Sequence, residues 1–168
     1  MGSVVFWNSL RFVVAVLAQV LICNHIDFLG YINPLVYIYF IFLFPFNVNR
    51  SLFLVLAFLL GLTIDMFSDS GGANAAACLV IAYIRPFVLR FAFGISYEHQ
   101  SIKLANTAFG QRMVYIVILT VIHHFVLFSL EIFNISNIVL ILENTLFFSI
   151  FTILIITLSI SLFSRKKS

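Results

Sequence analysis

Long apolar runs separated by short polar breaks dominate the chain. Six runs stand out: Val4 to Cys23, Leu35 to Phe46, Leu52 to Phe67, Ala73 to Phe93, Met113 to Phe133 and Ile138 to Phe163. A helix that crosses a bilayer core of about 30 Å needs about 20 mostly apolar residues, with a range of about 17–25. The second run falls short, since even about 14 residues would rise only about 21 Å. Asn33-Pro34 reads as an N-cap followed by proline at the first helical position, which starts that helix near Leu35. A short helix of this kind is accommodated by shielding neighbours or a locally thinned bilayer. Pro86 falls inside the fourth run and predicts a bend there.

Composition excludes a water-soluble fold. The 168 residues are 63% hydrophobic and 9% charged, with a mean hydropathy of +1.17. Soluble domains are usually about 45–50% apolar and about 25% charged. The longest polar stretch, roughly Gly94 to Arg112, is too short to build its own core. The reading is an all-α integral membrane protein, a single polytopic domain over 1–168 with a bundle of about six transmembrane helices. No small-x-small cleavage site follows the first run, so it is expected to be a retained helix. Cys23 and Cys78 lie in apolar surroundings with neither zinc nor disulfide spacing.

Charge sets the orientation. Arg11, Arg50, Arg85, Arg90, Lys103, Arg112, Arg165, Lys166 and Lys167 all fall on one side of a six-helix topology. The loops on the other side, around Asn24–Pro34, Ser68–Gly72 and Asn134–Asn137, carry no Lys or Arg. The positive-inside rule then predicts cytoplasmic N- and C-termini. With a net charge of +3, Arg85, Arg90, Lys103 and Arg112 are expected to make cytoplasmic contacts, with anionic lipid rather than nucleic acid. Arg85 lies deeper than Arg90, and either snorkels inward or bonds carbonyls released by Pro86.

Ionisable groups within spans are costly and mark functional candidates. Asp65, Asp69, Glu131, Glu143 and Asn144 gather toward the outward end, either as a polar cavity or contact surface or, for the carboxylates, as interfacial groups in contact with water. His123 and His124 fall mid-helix and suit hydrogen bonding between helices, or a proton relay. As neighbours in sequence they do not face one another, and the i, i+4 spacing of zinc helices is absent. Ala57 with Gly61, and Ala77 with Ala82, form small-residue strips for close helix packing. No phosphate loop and no nucleophile beside a base is visible, so neither an enzyme nor a cofactor is expected.

The segment Phe58-Leu59-Leu60-Gly61-Leu62-Thr63-Ile64-Asp65-Met66-Phe67-Ser68, followed by Gly71-Gly72-Ala73-Asn74-Ala75, resembles the bacterial rod-shape-determining MreD family. That family shows a Gly-Leu-x-x-Asp core in a central helix, then a short Ser/Gly loop and a small-residue helix. Chain length, the short second run and the basic tail also match. The Phe- and Ile-rich style is most similar to versions from Bacteroidota. The resemblance implies a non-enzymatic membrane scaffold of the cell-elongation complex, acting with MreC and through it with MreB, RodA and a class B penicillin-binding transpeptidase. It implies a location in the bacterial inner membrane, and a fold resembling the substrate-binding component of energy-coupling-factor transporters. Gly61 and Asp65 take the motif positions, with Gly72 after them. On this reading Gly61→Leu weakens association with MreC while leaving insertion intact.

The competing reading is a small-molecule transporter subunit that uses the outward acidic cluster as a ligand pocket. Ala15 and Ala18 are three residues apart, not the four of the docking pattern usual in vitamin-binding components, which weighs against it.

Overall fold

A computed structural model describes residues 2–28, 30–45, 49–94, 104 and 107–163. The described chain is helical. Its elements are α1 (Gly2–Leu21), α2 (Tyr39–Leu43), α3 (Arg50–Ser68), α4 (Ala73–Phe93), α5 (Phe109–Ile132) and α6 (Ile138–Phe163). Short 3-10 turns at Cys23–His25, Val36–Ile38 and Ile135–Asn137 extend or link them. Among the described residues, five helices are long and apolar enough to cross a membrane. The protein is therefore all-helical with the character of a multi-pass membrane protein.

The fourth and sixth helices occupy the ranges predicted for them. The third begins earlier, at Arg50, because the Asn49 side chain caps it by accepting the Ser51 N–H at 2.9 Å. The fifth starts at Phe109, four residues before the predicted boundary, since Gly110, Gln111 and Arg112 continue the helix without an apolar pattern.

The second run departs most from expectation. It forms only the turn Val36–Ile38 and the five-residue α2, ending at Phe44 in an extended conformation. Phe46, its predicted end, lies outside the described residues. Most of its side chains point into the protein. Tyr37, Ile38, Phe40, Ile41, Phe42 and Phe44 are all buried and form the centre of the main hydrophobic core. The long helices pack around this piece, while Leu146, Leu154, Leu158 and Leu162 of α6 and Leu52 and Val55 of α3 stay exposed. Apolar side chains turned outward on long helices are what a hydrocarbon solvent permits.

Asn33 does not cap this segment. It closes the preceding loop, accepting the Asp27 N–H at 2.8 Å and donating to Asp27 Oδ1 at 3.1 Å. The start of the second segment is held by Gln19 of α1, whose Oε1 accepts from the Val36 N–H at 2.8 Å and the Tyr37 N–H at 3.3 Å. Nε2 of the same side chain donates to the Pro34 carbonyl at 3.1 Å.

Candidate functional site

A polar seam begins at the α3–α4 turn and runs into the bundle. The turn needs left-handed backbone, with φ of +53° at Asp69, +61° at Gly71 and +97° at Gly72. The doubled glycine supplies two of these positions at low steric cost. Gly72 is the N-cap of α4 and has no side chain with which to cap it. Asp65, near the end of α3, performs that task. Its Oδ1 accepts from the Asn74 N–H at 3.0 Å and its Oδ2 from the Ala75 N–H at 2.9 Å. The Ala73 N–H donates to the Ser70 carbonyl and the Ala76 N–H to the Gly72 carbonyl. All four first-turn donors of α4 are thus satisfied. A carboxylate there also opposes the positive end of the helix dipole.

Oδ1 of Asp65 accepts two further bonds, from Ser70 Oγ at 2.5 Å and Asn74 Nδ2 at 3.1 Å. Those donations fix the Asn74 amide, so its Oδ1 accepts, here from the Tyr37 hydroxyl at 2.6 Å. The Tyr37 oxygen must then accept from His123 Nε2, 2.9 Å away. His123 is the Nε2–H tautomer by this logic, and its buried Nδ1 has no partner among the described residues. The neighbouring ring follows a separate path. His124 Nδ1 donates to the Thr120 carbonyl at 2.7 Å, and Nε2 faces Thr152 Oγ1 of α6 at 3.4 Å. Thr152 Oγ1 in turn accepts the Leu35 N–H at 3.0 Å. Each histidine therefore ties α5 to other elements, His123 to the second segment and His124 to α6.

Gly61 lies one turn before Asp65 and meets the same part of α4. A Cβ placed on it would stand 2.5 Å from Ala75 Cα and 2.5 Å from the Asn74 carbonyl oxygen. Gly61 and Asp65 thus seat the first turn of α4 together, one by close approach and the other by four accepted hydrogen bonds. Expected as surfaces for a partner or ligand, both are buried and spend their contacts inside the protein. Ala57, Ala77 and Ala82 of the packing strips are also buried.

The remaining acidic candidates lie outside this hydrogen-bonded seam. Asp69, Glu131 and Glu143 are exposed, with Asn144 and Gly72 half-buried. Together with Asp65 they occupy one end of the bundle, but among the described residues none of the exposed carboxylates joins the Asp65 hydrogen bonds.

At the other end the basic residues divide. Arg85 was expected to reach the cytoplasmic side or the carbonyls freed by Pro86, but its described bonds run to other elements. It is buried, donating through Nε to the Tyr115 hydroxyl at 2.9 Å and through Nη2 to the carbonyls of Phe42, at 3.4 Å, and Phe44. Its guanidinium lies 4.9 Å from the Phe53 ring centroid. A planar fork with several donors can close the carbonyl end of α2 in this way, and a point-like ammonium cannot. Arg85→Lys should consequently lower stability by about 1–2 kcal/mol, the value of one or two net hydrogen bonds. Denaturation of the purified protein in detergent measures this, and an unchanged midpoint would remove Arg85 from the α2 cap. Arg90 is exposed, as a cytoplasmic contact requires. Arg112 is buried instead, and Lys103 lies outside the described residues.

Gln19, Tyr37, Asn74, Tyr115 and Thr152 carry much of the polar framework and were not singled out from the sequence. Their signal was a hydrogen-bonding side chain inside an apolar run, visible for Gln19 and Asn74 but weak for tyrosine and threonine. Compared with known proteins, the chain matches no family model, no curated protein and no solved structure.

Proposed function

We propose that this protein is a non-enzymatic membrane scaffold of the bacterial cell-elongation complex, of the MreD type, acting with MreC in lateral peptidoglycan synthesis. The observation that carries this reading is the joint role of Gly61 and Asp65. The two residues on which the resemblance rests act as one unit, seating the first turn of α4 against α3. A Gly-x-x-x-Asp element with that duty belongs to the architecture of a bundle and calls for no substrate.

The acidic groups bear on the choice against a small-molecule transporter subunit. Asp65 would have to anchor an outward pocket, yet its oxygens are already engaged by Ser70, Asn74 and Ala75. Six crossings with both termini cytoplasmic, in the inner membrane, complete the proposal. Support comes from Asn24, just after α1, which donates to Ser68 at the end of α3 at 3.5 Å. If α1 and α3 finish at the same face, the segment between them has to return through the bundle, short as α2 is. The grouping of Arg50 and Arg90 at the opposite end from Asp69 and Glu131 accords with the positive-inside rule.

Depletion of the protein in its own host is the decisive test. Rod-shaped cells should round up, and MreC should co-purify with the tagged protein. Cells that keep their shape and a preparation free of MreC would together refute the assignment.

A further inference from the structure

The basic end of the bundle holds a buried guanidinium that the described residues leave short of acceptors. Arg112 is 8% exposed, and its Nε is enclosed without an acceptor among the described residues. Its guanidinium lies 5.6 Å from the Phe109 ring centroid. An aromatic face attracts a cation but does not replace acceptors for five N–H groups. The described carboxylates give no relief, because Asp27, Asp65, Asp69, Glu131 and Glu143 belong to the opposite end of the bundle. A buried charge without a counter-charge is unfavourable, so the site favours an anion.

Two further features point the same way. Arg112 is the fourth residue of α5, and its contact with Phe109 shows the side chain leaning back toward the helix start. That start follows Ala108, which offers no side-chain cap. Gly110 is exposed with open space beside it, so the first-turn N–H groups remain approachable. A second cation joins from another helix. Both α1 and α5 pack against α2 beside the half-buried Tyr39: Phe12, next to Arg11, meets the Phe40 ring edge-on at 5.5 Å, and Tyr115, about one turn after Arg112, meets the Phe42 ring at 5.7 Å. Arg11 is itself exposed, and among the described residues its side chain makes a single long hydrogen bond, of 3.4 Å to Asn8.

We propose that Arg112, Arg11 and the Tyr39 hydroxyl form a binding site for the phosphodiester headgroup of an anionic phospholipid. Guanidinium forks match phosphate oxygens two at a time, and the tyrosine hydroxyl adds a neutral donor. A lipid fits better than a soluble anion because exposed apolar side chains lead away from the site on both helices. Leu10, Val13 and Val14 do so on α1, and Phe109, Val114 and Val117 on α5. Acyl chains can lie along these surfaces while the phosphate stays with the arginines. The inference requires that the helices lie in a membrane and is independent of the scaffold assignment. A cell-shape result of either sign leaves it standing.

The test uses the full chain purified in a neutral detergent and titrated with short-chain phosphatidylglycerol, phosphatidylcholine or inorganic phosphate. Native mass spectrometry reads occupancy and thermal unfolding reads stabilisation. Phosphatidylglycerol should bind saturably and raise Tm, while phosphatidylcholine should do neither. Arg112→Gln should weaken phosphatidylglycerol binding about ten-fold or more, as expected for the loss of a charge-assisted hydrogen bond. Arg11→Gln, at an exposed position, should weaken it several-fold without changing the Tm of the lipid-free protein. If Arg112→Gln fails to fold, the Arg11→Gln result decides. Equal binding of the two lipids, or phosphatidylglycerol affinity unaltered in the folded variants, would overturn the site. Displacement of phosphatidylglycerol by millimolar inorganic phosphate would overturn its assignment to lipid.

Discussion

Gly61→Ala is expected to destabilise the protein by about 3 kcal/mol or more, at the upper end of overpacking penalties. The sign is opposite to that of helix propensity, which favours alanine over glycine by up to about 1 kcal/mol. The reason is what the new methyl group meets. Its nearest neighbours would be Ala75 Cα, the Asn74 carbonyl oxygen and the Ala75 nitrogen, at 2.5, 2.5 and 2.7 Å. These are backbone atoms, so no rotamer change relieves the collision and α4 as a whole has to move. Shaving the facing residue should not help either, and the Gly61→Ala, Ala75→Gly double variant is expected to be no more stable than the single one. Gly110→Ala serves as the control, since a Cβ there meets open space. Thermal or denaturant unfolding in detergent gives the comparison. A Gly61→Ala midpoint equal to wild type would remove the close approach from the account. Gly61→Leu would suffer more, and its effect would fall on the fold before reaching MreC. This revises the expectation that insertion and partner binding could be separated at this residue.

Asp65→Ala is expected to cost about 4 kcal/mol or more, from buried donors that each cost about 1–3 kcal/mol when left unpaired. Four donors lose their acceptor: Ser70 Oγ, Asn74 Nδ2 and the N–H groups of Asn74 and Ala75. The damage would spread to Tyr37, because the Asn74 amide would no longer be held with its oxygen toward the tyrosine hydroxyl. Asp65→Asn should rescue only part of the loss. Its single carbonyl oxygen can face one group of donors, and its NH2 then confronts the other. Combined with Gly61→Ala, Asp65→Ala should cost less than the sum, since both changes disturb one docking surface. Full stability in Asp65→Asn would mean that charge and a second acceptor are unnecessary there.

Much of the fold was legible because lipid-facing helices carry a plain signature. Runs of about 20 apolar residues gave the five long helices, with boundaries set by Gly72, Gly94 and the Asn134–Asn137 break. The shortness of the second run was also visible, but its placement at the centre of the core was not. Burial on every side requires knowing which helices surround it, and an apolar run looks the same against lipid or protein. The site was legible in a different sense. Gly61, Asp65 and Arg85 stood out as unusual in their helices, yet their partners lie on other elements. Asp65 was read as facing outward because its depth follows from the sequence and its direction does not. Arg85 reaches Phe42 and Phe44, more than 40 residues earlier, a relation that no local pattern encodes.

The two ends of α2 carry a consequence for how the chain enters the bilayer. The N–H groups of the turn that leads into it depend on Gln19, already made when α2 leaves the ribosome, but its trailing carbonyls depend on Arg85, some 41 residues later. Five helical residues with open carbonyls are a poor candidate for independent partitioning into hydrocarbon. The segment gains its full shelter only when α4 arrives carrying Arg85. Release of the helices one by one would leave this early piece with open carbonyls until the later one supplied its guanidinium.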